Sequence, residues 1–359
     1  MILKEITIRN FRNIENTVIP LSNNINVIYG LNGEGKTNIM EAIGYLSLCK
    51  SFRNQQDKGL IHFDKNHFYL KGKIENENGN FELETSFDGE IKKKKKNSVE
   101  IQKVKDYIGN LRTVIFSVED LNIIKGTPQY KRSFLDQTIS QTNYVFLDNA
   151  ITYKKLMLAK NALLKNEHID QIYLETINEE MKKCMLVIQR ERINLVDFIN
   201  MNINNIYQHL SGKEDDNVYI EYKTNFNKDT DLNKYFELEK RRNSCVVGTH
   251  RDDLVINLNR KNIEDYGSQG QQRLLVICLK ILQLMYLKEK TNSTPILLLD
   301  DVFSEIDRDK ILRILQYIVK EDYQVIITTT EKIVELEQLD NINYLYIEDL
   351  KNIIKDTPQ

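Results

Sequence analysis

The chain has 359 residues, of which 41% are hydrophobic and 28% are charged, values typical of an ordinary globular protein. It contains no apolar run of the roughly 18 residues that a membrane-spanning helix needs, no signal-peptide pattern and no C-x-x-C pair, which argues against a disulfide framework or a zinc site and predicts a cytoplasmic location. The net charge of −2 argues against indiscriminate nucleic-acid binding, so contact with DNA would require a local basic surface.

The first pattern along the chain is a phosphate-binding loop. Ile25–Tyr29 is predicted to be a short buried strand, Gly30–Thr37 fits G-x-x-x-x-G-K-T, and a helix is predicted to follow. In this context glycine lets backbone N–H groups approach phosphates, Lys36 contacts the β- and γ-phosphates of ATP, and the Thr37 hydroxyl is a ligand of Mg²⁺. The residues predicted to bind nucleotide here are Gly30, Asn32, Gly33, Gly35, Lys36, Thr37 and Asn38.

Strand patterns and a run of lysines come next. Phe68–Ile74 and Phe81–Phe87 are strand-like and are joined through the turn residues Asn78–Asn80. Lys92–Lys96 follows them and is the most basic stretch of the chain. Such a run is usually a solvated edge that protects a strand from pairing, and its alternative role is contact with DNA phosphates.

Residues 144–210 have a helical pattern. Apolar side chains recur at three-, four- or seven-residue steps, at Met185, Ile188, Leu195, Ile199, Ile203, Ile206 and Leu210. Because the stripe is short and Arg192 interrupts it, a packed helical lobe is favoured over a long coiled coil. The predicted domains are residues 1–140 and 241–359 as the two halves of one lobe, with residues 141–240 as a helical second lobe inserted between them.

Ser268–Arg273 stands at the head of a second apolar-striped helix. Ser268 is a good helix N-cap, and a hydroxyl, a glycine backbone and a helix N-terminus together form an anion site. The alternative is a capped core helix with no ligand. Because the segment lies between a phosphate loop and an acidic strand, we predict that Ser268 and Gly270 contact nucleotide as a signature motif.

The acidic strand is Ile296–Asp300, four aliphatic residues and a carboxylate. A continuous apolar run predicts a parallel strand buried on both faces, and its carboxyl end lies where ligands bind in open α/β sheets. We expect Asp300 to hold Mg²⁺, and Asp301 to polarise the attacking water as the catalytic partner of Lys36. The alternative is a strand end with two solvated acids. Ser304–Asp307 is predicted to form a short loop across an interface between two heads.

In this arrangement the chain resembles the SMC-like ABC ATPases and, within them, the RecF family. The similarity runs nearly end to end, and the blocks that show it are Leu3–Asn13, Gly35–Asn38, Lys50–Arg53, Val114–Phe116 through Arg132–Asp136, Gly248–Leu254 and Leu298–Glu305. It implies an α/β fold, an ABC-type ATPase head in which a P-loop lobe with a mixed sheet is joined to an inserted helical second lobe.

The resemblance also implies a function. It implies an ATP- and Mg²⁺-dependent, weak and DNA-stimulated ATPase that dimerises with ATP and binds duplex DNA near single-strand gaps. The resemblance further implies RecR and RecO as partners and RecA as a recombinase that is loaded indirectly. It implies no membrane partner. Asp301 replaces the Glu of many ABC relatives and is one methylene shorter, so slow hydrolysis is expected.

Two alternatives and two open roles accompany this interpretation. An ABC-type motor subunit coupled to another partner, such as a transporter, would share the nucleotide chemistry, and so would a nucleotide-binding switch with negligible hydrolysis. His250–Asp253 is by default a surface turn, and by resemblance a contact to DNA or to a partner head. Arg12 and Arg53 are candidates either for phosphate contact or for surface ion pairs.

Overall fold

The structure is a computed structural model that describes residues 1–53, 55–302, 313, 316, 323–331 and 342–352. Its strands are β1 (Ile2–Phe11), β2 (Ile14–Pro20), β3 (Ile25–Tyr29), β4 (Phe68–Asn76), β5 (Gly79–Phe87), β6 (Lys92–Lys96), β7 (Val99–Glu100), β8 (Thr113–Ser117), β9 (Val218–Lys223), β10 (Asp253–Leu258), β11 (Lys261–Asn262), β12 (Ile296–Asp300), β13 (Val325–Thr329) and β14 (Ile342–Tyr346). The predicted loop Ser304–Asp307 lies outside the described residues.

The α-helices in the same part of the chain are α1 (Lys36–Leu48), α2 (Val104–Tyr107), α3 (Asn122–Lys125), α4 (Pro128–Ser140), α5 (Tyr144–Leu163), α6 (Gln171–Ser211), α7 (Phe236–Arg242), α8 (Ile263–Tyr266), α9 (Gln269–Thr291) and α10 (Ile347–Asn352). Short 3₁₀ turns occupy Asp57–Leu60, Val118–Leu121, Leu232–Tyr235 and Thr249–Arg251. None of the helices in these ranges has the length and apolar character to cross a membrane.

The chain forms two compact units that divide it differently from the predicted domains. Unit 1 is Met1–Asp120 with Gln283–Gln359, and unit 2 is Leu121–Leu282. Unit 2 therefore includes the signature segment, which the prediction had assigned to the ATPase lobe. The physical reason is strand pairing, because β10 pairs antiparallel with β9 and so joins the residues after 252 to the helical unit.

Unit 1 contains an antiparallel sheet with the strand order β2-β1-β4-β5-β6-β7. Its strands alternate buried and exposed side chains; in β4, for example, Phe68, Leu70 and Ile74 face the core while Lys73 is exposed. This period of two is typical of a sheet with one face on the core and the other in water. The hairpin predicted from Phe68 to Phe87 is thus confirmed as β4 and β5.

The second sheet of unit 1 is parallel in every pairing and has the order β14-β3-β13-β12-β8. All residues of β12 and β8 are buried, as expected for strands that are covered on both faces. Register places Asp300 opposite Thr328, and Thr328 opposite Ile28. The strand before the phosphate loop and the acidic strand therefore end at the same edge of the sheet, on either side of β13.

Unit 2 is built on the contact of α5 with α6 and on the sheet β11-β10-β9. Asn143 caps α5 by accepting a hydrogen bond from the Phe146 backbone, and Asp170 caps α6 in the same way. The 41-residue α6 buries most of the predicted apolar stripe. The sequence predicted that Arg192 interrupts the apolar stripe, but the residue is only 4% exposed and is paired with Asp136 and Asp252 within the unit, so it belongs to the buried face.

Candidate functional site

The phosphate loop in unit 1 has the strand–turn–helix context that the sequence predicted, with β3 before it and α1 after it. Gly30, Gly33 and Gly35 all have positive φ. At Gly35, φ is 104° and an added Cβ would lie 2.6 Å from Asn13 Oδ1. Only glycine fits there, so the loop geometry depends on contact with the β1–β2 turn as well as on its own residues.

Lys36 lies inside this loop and is 7% exposed. Its Nζ donates hydrogen bonds to the carbonyl oxygens of Gly30 and Leu31, both at 2.7 Å. Burial lowers the pKa of Lys36, while the nearby Glu34, Asp301 and Asp300 act in the opposite direction. A buried ammonium at this point of the loop can form a charge-assisted hydrogen bond with a phosphate oxygen.

The structure brings the two predicted metal residues together, although they are 263 positions apart. Thr37 Oγ1 donates to Asp300 Oδ1 at 3.0 Å, and Thr328 Oγ1 donates to the same oxygen at 2.7 Å. Burial raises the pKa of the Asp300 carboxyl, and the two hydroxyls oppose that effect. A hydroxyl and a carboxylate within contact distance are oxygen ligands of the kind that Mg²⁺ prefers beside phosphates, so these residues fit that ion.

Asp301, the carboxylate predicted to polarise the attacking water, directly follows Asp300 in the chain. Its backbone is in the left-handed region, with φ at 51°, and its N–H donates to the Thr328 carbonyl oxygen and to Thr328 Oγ1 at 3.3 and 3.1 Å. Thr328 therefore contacts both acids.

Of the two asparagines predicted to bind nucleotide, Asn38 is fixed and Asn32 is exposed. Asn38 Nδ2 donates to Asn13 Oδ1 at 2.7 Å, and its own Oδ1 accepts from Arg53 at 3.4 Å. Asn13 belongs to the family-like block Leu3–Asn13 and had no role predicted from the sequence. It contacts both Gly35 and Asn38 and so borders the loop at its helical end.

A buried carboxylate, Glu41, fixes the surroundings of that loop. Glu41 is 0% exposed; Arg12 donates to both of its oxygens at 2.8 and 2.9 Å, and Ser51 Oγ donates at 2.5 Å. Arg53 lies 3.8 Å from the same carboxylate. The ion-pair alternative for Arg12 is thus shown, with a buried partner. Sequence reasoning missed Glu41 because a lone acid within an apolar helix matches no motif.

The signature segment, Ser268–Arg273, lies at the start of α9 in unit 2. Ser268 is the predicted N-cap: its Oγ accepts from the Gln271 N–H at 3.3 Å, and Gln271 Oε1 accepts from the Ser268 N–H at 2.9 Å. Ser268 and Gly270 are exposed, and no atom lies within 4 Å of the position of a Cβ on Gly270. The segment is thus rigidly capped and accessible from outside.

The lysine run is strand β6 and is not uniformly solvated. Lys92 Nζ donates to the Cys49 carbonyl and pairs with Asp57 at 2.8 Å, and Lys96 Nζ donates to Asn110 Oδ1 at 2.7 Å. Lys94 between them is 7% exposed. Strand periodicity therefore directs alternate lysines into the protein, and only part of the run is available to a phosphate.

The segment His250–Asp253 differs from the predicted surface turn, because Asp252 is 1% exposed. Asp252 Oδ2 accepts from Arg192 Nη1 at 2.7 Å and from the Tyr222 hydroxyl. Arg192 also makes two bonds to Asp136, at 2.8 and 2.9 Å. Two blocks on which the family resemblance rested, Arg132–Asp136 and Gly248–Leu254, therefore meet on one arginine of α6.

Comparison with known proteins agrees with this geometry. Residues 2–351 match the RecF/RecN/SMC N-terminal domain family. The DNA replication and repair protein RecF of Streptococcus pyogenes serotype M49 (strain NZ131) is 35% identical over 340 residues, which cover 92% of each chain. The chain belongs to the RecF family.

Solved structures support the RecF assignment and the fold class. The recombination mediator protein RecF with ATPrS, described in the RecFOR pathway, matches with a TM-score of 0.86 at 31% identity and covers 96% of both chains. An Smc head bound to the C-winged helix domain of ScpA matches with a TM-score of 0.56 at 16% identity, which supports the fold alone. The RecF-family chain thus has the predicted α/β fold of an ABC-type ATPase head.

Proposed function

We propose that this RecF-family chain is an ATP-dependent DNA-binding recombination mediator. The observation that carries the proposal is the meeting of Thr37 and Asp300 beside Lys36, because it joins the phosphate loop to the acidic strand in one site. A RecF relative has been solved with ATP at 30% identity over 96% of the chain, which supports ATP as the nucleotide. The RecF-family fold implies ATPase activity.

Each residue of the site has a role in this proposal. The loop N–H groups and Lys36 bind the phosphates, and Lys36 exchanges its two carbonyl partners for phosphate oxygens. Thr37 and Asp300 would hold Mg²⁺, which supplies positive charge against that of the phosphates. Asp301 orients the attacking water. Because Asp301 is shorter than the Glu of many ABC ATPases, hydrolysis is slow and resets the protein after each ATP-bound period.

We further propose that ATP closes a head-to-tail homodimer. The phosphate loop belongs to unit 1, whereas Ser268 and Gly270 belong to unit 2 and are exposed at a helix N-terminus. The exposed N-terminus of α9 offers backbone N–H groups that are suited to the γ-phosphate bound by a second copy. Ser268→Arg is therefore expected to keep ATP binding and lose the ATP-induced dimer, and Lys36→Met to lose both.

The DNA substrate we propose is duplex near a single-strand gap. With a net charge of −2, one copy is not a general polyanion binder, so the basic surface is completed by dimerisation. The pathway named for the solved relative supports RecR and RecO as partners. RecA would be loaded indirectly, through those proteins.

The experiment that tests this function is binding to a labelled gapped duplex, with and without Mg-ATP, over a salt series. We expect tight binding only with ATP, with an affinity that falls steeply as salt rises because phosphate contacts release counterions. Lys36→Met and Ser268→Arg are the matched variants, and both should lose the ATP-dependent component. Equal binding by the wild type with and without ATP would refute ATP-gated DNA binding. Absence of binding in both conditions would favour a motor subunit that acts through another partner.

A further inference from the structure

Gln272, the fifth residue of the signature segment, is buried and polar, unlike its exposed neighbours Ser268 and Gly270. It is 3% exposed, and its Nε2 donates to the Ile263 carbonyl oxygen at 2.9 Å and approaches that of Glu264 at 3.5 Å. These carbonyls belong to α8, the single helical turn that directly precedes the signature segment. Gln272 thus joins the first turn of α9 to α8 by a side-chain hydrogen bond.

The other side of this amide is not satisfied. Gln272 Oε1 is buried and accepts no hydrogen bond within the described residues. A buried acceptor without a donor costs free energy, which an apolar side chain of the same size would avoid. What the amide provides in return is the hydrogen bond to the Ile263 carbonyl oxygen, which the side chain of leucine or methionine could not donate.

The connection between α8 and α9 is tight. The Gly267 N–H donates to the Ile263 carbonyl at 3.0 Å, and an added Cβ on Gly267 would lie 2.6 Å from that same oxygen. The Ile263 oxygen therefore accepts from both ends of the connection, from Gly267 and from Gln272. Ser268 lies between these two donors, so its position depends on both bonds.

A buried lysine holds α8 on the remainder of unit 2. Lys131 of α4 is 5% exposed, and its Nζ lies 3.4 Å from Glu264 Oε2 and 3.5 Å from Asp253 Oδ1. Five residues further along α4, Asp136 receives the two bonds from Arg192 of α6. Polar contacts thus join α6 to α4, α4 to α8, and α8 to the signature helix α9.

We infer that Gln272 is a positioning residue of the signature segment, which fixes Ser268 and Gly270 in the geometry that receives the ATP of a second copy. This inference rests on the head-to-tail dimer proposed above. Gln272 does not contact the nucleotide itself, since its amide is directed at the Ile263 and Glu264 carbonyls. Its effect is to remove the freedom of the α8–α9 connection before the dimer forms, so that less entropy is lost on closure.

The test compares Gln272→Leu with Gln283→Leu. Gln283 lies on the same helix, is 5% exposed and also has an unpaired buried Oε1, so the same substitution there controls for loss of a buried amide. For Gln272→Leu we expect ATP affinity within about twofold of wild type, and an ATP-induced dimer weakened by about tenfold or more. Gln283→Leu should change neither by more than about twofold. Wild-type dimerisation by Gln272→Leu would overturn the inference.

Hydrogen exchange separates this inference from the dimer proposal. Without ATP, the amides of residues 263–272 should exchange faster in Gln272→Leu than in wild type or in Gln283→Leu, because the bond to Ile263 is lost. Unchanged exchange would overturn the positioning role even if the dimer were affected. If wild-type protein failed to dimerise with ATP, the proposed function would be wrong, and the exchange experiment would still decide whether Gln272 orders the segment.

A near-isosteric variant, Gln272→Glu, tests the hydrogen-bond donor itself. Its carboxylate has no donor for the Ile263 oxygen, whereas its protonated form regains one. Burial raises the pKa of a carboxyl. The charged groups on the neighbouring elements include Glu264 and Asp265 of α8, Lys131 of α4 and Arg273 of α9. We expect dimerisation of Gln272→Glu to recover relative to wild type as pH falls from about 8 to about 6. A constant ratio to wild type over that range would count against the donor as the cause.

Discussion

Replacement of Glu41 by Gln should destabilise unit 1 severely. Its carboxylate is fully buried and accepts two bonds from Arg12 and one from Ser51. The amide of Gln would turn a donor towards a guanidinium that is itself only donors. Breaking one side of a buried ion pair costs about 3–5 kcal/mol, and since Arg12 is 18% exposed we expect a loss near the lower end, about 3 kcal/mol.

The free energy of unfolding is measured in urea by circular dichroism, because the chain has no Trp to report by fluorescence. Glu15→Gln is the matched control: the Lys65–Glu15 pair is also in unit 1, with a distance of 3.2 Å, but its side chains are 38% and 69% exposed. Removal of that exposed pair should cost less than about 1 kcal/mol. A cost for Glu41→Gln no larger than that of the control would refute the reasoning.

The same variant should weaken ATP binding. Arg12 precedes Asn13, whose side chain contacts Gly35 and Asn38 of the phosphate loop. When the Arg12–Glu41 bonds are lost, the turn that borders the loop loses its fixed position, so the loop is less preorganised for phosphates. Equilibrium titration with a fluorescent ATP analogue measures this effect. Unchanged affinity in a folded Glu41→Gln protein would show that the turn does not support the loop.

Gly35→Ala places a Cβ 2.6 Å from a side-chain oxygen at positive φ, whereas Gly79→Ala has positive φ and open space. In unfolding experiments Gly79→Ala should cost about 1 kcal/mol, and Gly35→Ala should cost more because it adds a clash. Only Gly35→Ala should lose ATP affinity, and equal losses of affinity in the two variants would contradict this. Thr328→Val removes the 2.7 Å hydrogen bond to Asp300 and should lower turnover of Mg-ATP about tenfold in an ATPase assay. Unchanged turnover would show that this bond does not support hydrolysis. Burial lowers the pKa of His250 to about 4, so the unfolded chain takes up a proton first and stability is lost as pH falls from about 6.5 to 4. In urea unfolding, the free energy of unfolding of wild type should fall by up to about 3 kcal/mol more than that of His250→Gln over this pH range. Parallel pH profiles for the two proteins would show that His250 does not cause the loss.

Local pattern determined the elements of the nucleotide site. Ile25–Tyr29 forms β3 as predicted, and the aliphatic run that ends in Asp300 forms the buried strand β12. Positive φ at the loop glycines and the Ser268 cap were likewise predictable. These features depend on residues that are adjacent in the chain, so spacing and residue type are sufficient to predict them.

Side-chain direction along β6 and the burial of Asp252 required the tertiary structure. A run of five lysines is identical at each position, so only the register with β5 decides that Lys94 is buried and Lys93 is exposed. Asp252 follows Arg251 in a sequence that is typical of a surface turn. It is buried because Arg192 and Tyr222, from α6 and β9, supply the hydrogen bonds that a buried carboxylate needs.

The unit boundary and the support of the phosphate loop were also decided by contacts distant in sequence. Pairing of β9 with β10 places the signature segment in unit 2. Hydrophobic periodicity could not predict this, because the spacing of apolar residues within a strand does not identify the strand that pairs with it. Glu41 is conspicuous only once Arg12 and Ser51 surround it. The sequence by itself thus determined which chemistry is present, and the tertiary structure decided which residues hold it in place, since a buried charge is stable only beside partners that folding brings to it.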